Sequence, residues 1–360
     1  MINNINKIVD GHIKRNLYPG VEWKVNYKEK IFQGKLGYLD INTNQPIVDN
    51  TIYRIWSMTK PIISIVALQL IEEKKLKLSD PITDYLPQFQ NLKVLKSRES
   101  SIENQVDIKK MPTIKDLLSH TAGFTYNFLG DAVGIEYDRL KLFHSEFTTL
   151  EEEINLLSTI PLLCQPSTEW VYSVSVDVIG RIIEIVTKNN LQKELKKRIF
   201  DPLEMNNTAF TVNQNNQDRI MTSYEFNAVQ NKIVEPIVGK QKIGGIGYPT
   251  NQLTYARGGH GLFSTLGDFS KFSQMLLNGK TKNGDTIISS EILLKATTNH
   301  LKKNYFPLEI KNIAENLEEN DLAPYGWGLG FRVMMDLNKA DGVGSMGEFG
   351  WAGAAATYFL

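Results

Sequence analysis

The sequence predicts an α+β fold: an antiparallel sheet built from both chain ends, with flanking helices and an inserted, mostly helical region. Three observations carry this. Strand patterns lie near the start, at residues 21–27 and 31–39, and return from Tyr325 onward. Helix-period patterns fill the middle, from about Ser79 to Leu203. With 360 residues, 42% of them hydrophobic, the chain has ample material for one large core. The expected division is a discontinuous sheet region over residues 1–78 and 205–360 and a helical region over 79–204. Together they make one catalytic unit with its site at the seam, where clefts commonly form.

Taken in order, Ile5, Ile8, Val9 and Ile13 recur at helical spacing and predict an amphipathic helix ending near Arg15, broken by Tyr18-Pro19-Gly20. A hairpin follows, turning at Lys28-Glu29-Lys30. Residues 51–56 form a short extended lead into Ser57-Met58-Thr59-Lys60-Pro61. Proline lacks an N–H and is tolerated in a helix only within the first turn, so the next helix starts at or beside Ser57. It runs to about Lys75, with Leu68, Ile71 and Leu76 as its buried stripe. Pro112-Thr113-Ile114-Lys115-Asp116 reads as a capped helix start, closed by Gly123. Further helices are expected at residues 151–158, 178–187 and 192–199. Residues 213–250 are polar and turn-rich and read as a loop or strand excursion, and residues 266–277 are helical, closed by Asn278-Gly279. Residues 327–334 read as one glycine-rich strand. Gly350-Trp351-Ala352-Gly353 then leads into an apolar run through Leu360 with no turn signal.

Composition narrows the function. Lys+Arg 40 balances Asp+Glu 40, which gives no reason to expect nucleic acid or an anionic membrane as partner. The lone Cys164 precludes an intramolecular disulfide, and the five histidines (His12, His120, His144, His260, His300) show no zinc-ligand spacing. No stretch approaches the length of apolar residues needed to span a membrane, and Met1–Lys7 does not read as a signal peptide. A cytoplasmic enzyme needing neither metal nor cofactor is the expectation.

Chemistry centres on Ser57 and Lys60, which share one face of a first helical turn. The amine can reach the hydroxyl, and the positive end of the helix dipole favours a developing alkoxide or oxyanion. The ordinary alternative is an N-cap serine with a solvated lysine. Tyr172 stands at a loop end ahead of a helix, within Trp170-Val171-Tyr172-Ser173; beside Lys60 its phenol could take the serine proton and return it to a leaving group. Its alternative is a half-buried tyrosine with a satisfied hydroxyl. In Gly350-Trp351-Ala352-Gly353-Ala354 the glycines allow close backbone approach, and the N–H of Ala354 could join that of Ser57 as an oxyanion hole. Spacing alone favours a glycine-rich bend there.

With Leu117-Leu118-Ser119-His120-Thr121-Ala122-Gly123, Asp177-Val178-Ile179-Gly180 and Asp201-Pro202-Leu203-Glu204-Met205, these segments resemble the serine β-lactamase and penicillin-recognising superfamily. Within it they look most like the class C-related esterase branch, the family VIII carboxylesterases. The resemblance implies a β-lactamase-like fold and acylation of Ser57. It implies Lys60 as base, Tyr172 as general base and acid, and the Ser57 and Ala354 N–H groups as oxyanion hole. Trp351, Ala352 and Gly353 would line the substrate. Trp351 stands where many β-lactamases carry a lysine, and Val174 stands where class C enzymes usually place an asparagine. Both departures suit a small ester or amide better than a β-lactam. The superfamily sheet normally continues after this last motif, so a shortened chain is also expected.

A serine hydrolase acting on small esters or amides is therefore the leading reading. A β-lactamase or D-Ala-D-Ala peptidase is the rival enzyme, and a catalytically silent binding module the rival of another class. His120 is read as a helix-end anchor and His260 as structural. The Lys74-Lys75 and Lys196-Lys197-Arg198 clusters are read as solvated helix faces, and Cys164 as a core residue.

Overall fold

The spacing of Ile5, Ile8, Val9 and Ile13 forms helix α1 (Ile2–Lys14), which stops before Asn16 takes a left-handed φ of 55°. The structure, a computed structural model, describes residues 2–28, 30–142, 149–227, 229–234, 256–312, 317–319 and 322–360. Strands β1 (Gly20–Tyr27) and β2 (Lys30–Asp40) pair antiparallel from Gly20–Gly37 to Tyr27–Lys30, and β3 (Gln45–Pro46) extends the ladder from β2. Strand β4 (Ile52–Arg54) leads into α2 (Thr59–Glu72).

Beyond α2 come the short hairpin β5 (Lys93–Leu95) and β6 (Gln105–Asp107), then five helices. These are α3 (Ile114–Leu118), α4 (Ala132–Arg139), α5 (Leu150–Leu157), α6 (Ser175–Thr187) and α7 (Leu191–Leu195). A hairpin β7 (Glu225–Asn227) and β8 (Lys232–Val234) precedes β9 (Phe263–Thr265), which pairs antiparallel with β4. Helices α8 (Leu266–Met275) and α9 (Ser290–Ala296) follow, then the hairpin β10 (Ile310–Asn312) and β11 (Leu317–Glu319). Strands β12 (Tyr325–Trp327), β13 (Arg332–Met334), β14 (Phe349–Gly353) and β15 (Thr357–Phe359) form an antiparallel ladder in that order. The expected α+β content, strands toward both ends and helices between, is what the chain adopts. Among the described residues no helix is long and apolar enough to cross a membrane.

Several details differ from the sequence reading. Among the described residues, the strands of the two ends stay in separate ladders, β1–β3 and β12–β15, rather than one hydrogen-bonded sheet. What joins them is α8. Phe359 of β15 packs on Phe269 and Phe272 at ring distances of 5.1 and 6.4 Å, and Asn26 of β1 donates to the Ser270 hydroxyl at 3.5 Å. Helix α2 carries no single stripe: every residue from Thr59 to Leu70 is buried, while Ile71 is only half-buried. A helix apolar on all sides belongs inside a core, and α2 is packed against α6, α7 and α9.

The helix capped by Thr113 and Asp116, each accepting the other's backbone N–H, ends at Leu118 rather than Gly123. His120 already turns left-handed, at φ 54°, and Gly123, itself at φ 92°, makes a close crossing where a Cβ would lie 2.2 Å from the Cys164 carbonyl oxygen. The run 327–334 is two strands. Gly330, at φ 98°, turns the chain between them, and a Cβ there would meet the Ser64 hydroxyl of α2 at 2.2 Å. The apolar run after Gly353 also turns, closing through Ala356 at φ 57° so that β15 returns along β14. Within residues 213–250 the β7–β8 hairpin bears out a strand excursion; residues 235–250, like His144 and Glu29, lie outside the described residues.

Candidate active site

Backbone strain sets the first residue of the site. The Ile55 N–H donates to the Leu262 carbonyl at 3.0 Å, and Trp56 then takes a left-handed φ of 46°, a conformation that costs a side-chain-bearing residue roughly 1–2 kcal/mol. Ser57 follows in a single 3₁₀ turn (Trp56–Met58), with Pro61 in the first turn of α2 as expected. Ser57 is half-buried; Lys60 is 1% exposed. The Lys60 ammonium donates to Ser57 Oγ at 3.2 Å and to the Gly259 carbonyl at 2.8 Å. It also lies over the Tyr172 and Tyr126 rings, 4.7 and 5.1 Å from their centroids. A buried ammonium needs such partners, because stripping its water is costly unless acceptors and π faces replace it.

Tyr172 arrives from the link preceding α6. Its backbone is clamped on both sides: the Val171 N–H donates to the His120 carbonyl at 2.9 Å and the Val174 N–H to the Thr125 carbonyl at 3.2 Å. The Ser173 N–H donates to His120 Nδ1 at 3.3 Å. Burial, reinforced by Lys60 nearby, holds the His120 pKa well below its usual range, so the ring is neutral. His120 thus ends α3 as expected and also ties down the Tyr172 segment. Trp351 Nε1 donates to the Tyr172 hydroxyl at 3.2 Å. The indole packs on Tyr172 and Trp327 at 5.2 and 4.6 Å, and Trp170 completes the aromatic wall at 5.4 Å from Trp327.

Strand β14 passes behind Ser57. A Cβ on Gly353 would lie 2.5 Å from the Ile55 carbonyl oxygen, so only glycine lets the strand come this close. Ala352 is half-buried, and Ala354 is exposed at the start of the β14–β15 turn. Among the described residues, neither the Ser57 nor the Ala354 N–H donates to a protein acceptor. The geometry therefore brings Ser57, Lys60, Tyr172 and Trp351 into direct contact, with Gly353 against the backbone just before Ser57. It sets Ala354 one residue further, in the turn after β14.

Sequence reasoning missed the back of the site. Gly258-Gly259 lies flat on the start of α6. A Cβ on Gly258 would stand 1.9 Å from the Val176 carbonyl oxygen, and one on Gly259 2.4 Å from Asp177 Oδ2. The Gly259 N–H donates to Asp177 Oδ1 at 2.9 Å. The run Gly258-Gly259-His260-Gly261 was the available signal. His260 is edge-on to Trp56 at 6.3 Å, its pKa also lowered well below the usual range, chiefly by burial. Cys164 is inert, its thiol pushed up to about 12 by burial. Lys75 and Lys196 pair with Glu73 and Asp201 at the surface, as solvated faces do. Arg198 departs from that reading: its side chain is only 12% exposed and is held between Glu73 and the buried Glu194.

A half-buried serine before a helix, hydrogen-bonded to a buried lysine one turn on, with a tyrosine ring over the ammonium, defines the S-x-x-K serine enzymes. The chain belongs to the β-lactamase family, which matches residues 5–360. It is 30% identical over 353 residues to Protein Rv1367c of Mycobacterium tuberculosis, covering 95% of this chain and 82% of that one. It is 32% identical over 233 residues to the lovastatin esterase of Penicillium rubens, covering 64% of this chain and 56% of the relative. The solved structure of EstCE1, a hydrolase with promiscuous acyltransferase activity, superposes with a TM-score of 0.80 at 23% identity, covering 98% of this chain and 87% of that one. That likeness establishes the β-lactamase-type fold.

Proposed function

We propose that the protein is a serine hydrolase that cleaves small esters or amides through an acyl-enzyme on Ser57. The observation that carries this is the 3.2 Å hydrogen bond between Lys60 Nζ and Ser57 Oγ, made by a lysine 1% exposed. Once the ammonium has given up its proton, the amine lone pair faces the serine hydroxyl. Ser57 Oγ then forms a bond to the substrate carbonyl carbon while its proton passes to the Lys60–Tyr172 pair. The carbonyl oxygen becomes an oxyanion, received by the N–H groups of Ser57 and Ala354. As the tetrahedral centre collapses, the C–O or C–N bond breaks and Tyr172 returns the proton to the leaving group. Water repeats the sequence, releases the acid and restores Ser57.

The choice of small esters rests on Trp351. Its indole supplies a neutral wall and a donor to Tyr172 where a lysine would attract a carboxylate. The other buried cation nearby, Arg257, is turned to Glu153 at 3.4 Å. The family tie to an esterase acting on lovastatin agrees with an ester substrate. Hydrolysis of p-nitrophenyl acetate or butyrate by the native chain, with labelling of Ser57 by a fluorophosphonate, is the expected result. Ser57→Ala should lose both while unfolding at the same temperature. Turnover retained by Ser57→Ala overturns the assignment, nitrocefin turnover exceeding ester turnover returns the chain to the β-lactamases, and absence of any label marks a binding module.

A further inference from the structure

We infer that Asp177 is a positioning residue for Lys60, acting through the Gly259 backbone; the inference rests on the role proposed above for Lys60. Val174, two residues after Tyr172 and fully buried, offers Lys60 no polar atom. The ammonium instead takes its second acceptor from the main chain, the Gly259 carbonyl at 2.8 Å. That carbonyl stands where it does because the N–H of the same residue is latched to Asp177 Oδ1 at 2.9 Å. Shape supports the latch. Gly258 and Gly259 lie so close to Val176 and Asp177 that a Cβ on either would collide, and Gly180 one turn on leaves room for Gly258, its own Cβ position 3.4 Å away. A carboxylate at 177 and paired glycines at 258–259 are thus one device, whose output is the placement of an acceptor on Lys60.

Charge gives the device a second effect. Asp177 is 1% exposed, in the first turn of α6, where the helix dipole favours a carboxylate. Burial raises its pKa; Lys60, the Gly259 N–H and Arg257 work against that rise. The groups set around the Lys60 ammonium are Ser57, Tyr172, Tyr126, His120, His260 and Asp177. Both imidazoles are held neutral by burial, and Arg257 is paired with Glu153. Asp177 is thus the carboxyl set to balance Lys60. An ammonium that loses such a partner gives up its proton more readily, typically by about one pH unit or more.

The experiment compares the native protein with Asp177→Asn and Asp177→Ala, reading kcat and KM for p-nitrophenyl butyrate from pH 5 to 10, with melting temperature as the check on folding. Asp177→Asn keeps an acceptor for the Gly259 N–H but removes the charge. It should move the acid limb of kcat/KM to lower pH by about one unit while KM stays within twofold. Asp177→Ala releases the latch as well, and its kcat should fall about 100-fold at the pH optimum, KM again unchanged. An unmoved limb in a folded Asp177→Asn protein, or a kcat within threefold of native in Asp177→Ala, overturns the inference. If neither variant folds, the ¹⁵N shift of the Gly259 amide in glycine-labelled native protein decides: it follows the kinetic limb if the latch is real and stays fixed across it if not. A native protein with neither ester turnover nor Ser57 labelling instead refutes the hydrolase reading itself.

Discussion

Replacing Trp351 with phenylalanine isolates one hydrogen bond. Phenylalanine preserves a ring against Tyr172 and Trp327, which sit 5.2 and 4.6 Å from the indole, and deletes the N–H that meets the Tyr172 hydroxyl at 3.2 Å. A hydrogen bond between neutral groups contributes about 1 kcal/mol, and one to a charged group about 1.5–3 kcal/mol. Only the difference between resting and transition states affects rate. If negative charge grows on Tyr172 in the transition state as its proton passes to the leaving group, that difference is about 1–2 kcal/mol, roughly a 5- to 30-fold loss of kcat. KM should change little, because the donor faces Tyr172 rather than substrate. Steady-state kinetics on p-nitrophenyl butyrate, with thermal unfolding to confirm the fold, measure this. A folded Trp351→Phe protein with kcat within twofold of native would show that no charge develops on Tyr172, and the assignment of Tyr172 as proton carrier would fail.

Other substitutions test the framework. Gly330→Ala forces a Cβ to 2.2 Å from the Ser64 hydroxyl at φ 98°, so it should destabilise by about 1–3 kcal/mol, seen as a lower melting temperature. Ile65→Ala, at a fully buried position of α2, should cost about 2–5 kcal/mol in denaturant unfolding. His120 and His260 are held neutral in the fold, their pKa values depressed from 6.5, so the unfolded chain binds more protons below that pH. Their contribution is full above pH 6.5 and is lost on acidification, with a limiting slope of ~1.4 kcal/mol per pH unit for each ring. A His120→Asn, His260→Asn double variant should therefore lose less stability than the native protein between pH 7.5 and 5.5 in paired melts. An equal loss would refute neutral burial of the two rings.

What the sequence disclosed depended on whether a feature lay in side chains or in the backbone. Ser57 and Lys60 were legible because three-residue spacing and Pro61 together fix a helical first turn. Tyr172 and Trp351 were legible as residue types within motifs of known order. The Gly259 carbonyl was not, since every residue carries a carbonyl and this one serves a lysine 199 positions away. Asp177 was visible only as part of a motif, because its partner is a backbone N–H in a distant glycine pair. The turn through Ala356 was hidden for another reason: an alanine run contains no residue that favours a left-handed φ, so pairing of β15 with β14 must outweigh the local cost. The same competition moved the α3 terminus from Gly123 to Leu118, with the left-handed turn at His120 held by the ring's bond to Ser173.

The aromatic wall has an optical consequence. Of the five tryptophans, Trp170, Trp327 and Trp351 form the wall, and Trp56 immediately precedes Ser57; only Trp23, on β1, lies outside this cluster. Trp327 and Trp351 stand nearly perpendicular, 84° apart at 4.6 Å, close enough for their transition dipoles to couple. Emission and near-ultraviolet dichroism from this chain are thus dominated by chromophores around Ser57. Formation and decay of the acyl-enzyme proposed on Ser57 would then be timed by stopped-flow on the unlabelled protein, with a substrate that need not release a coloured product.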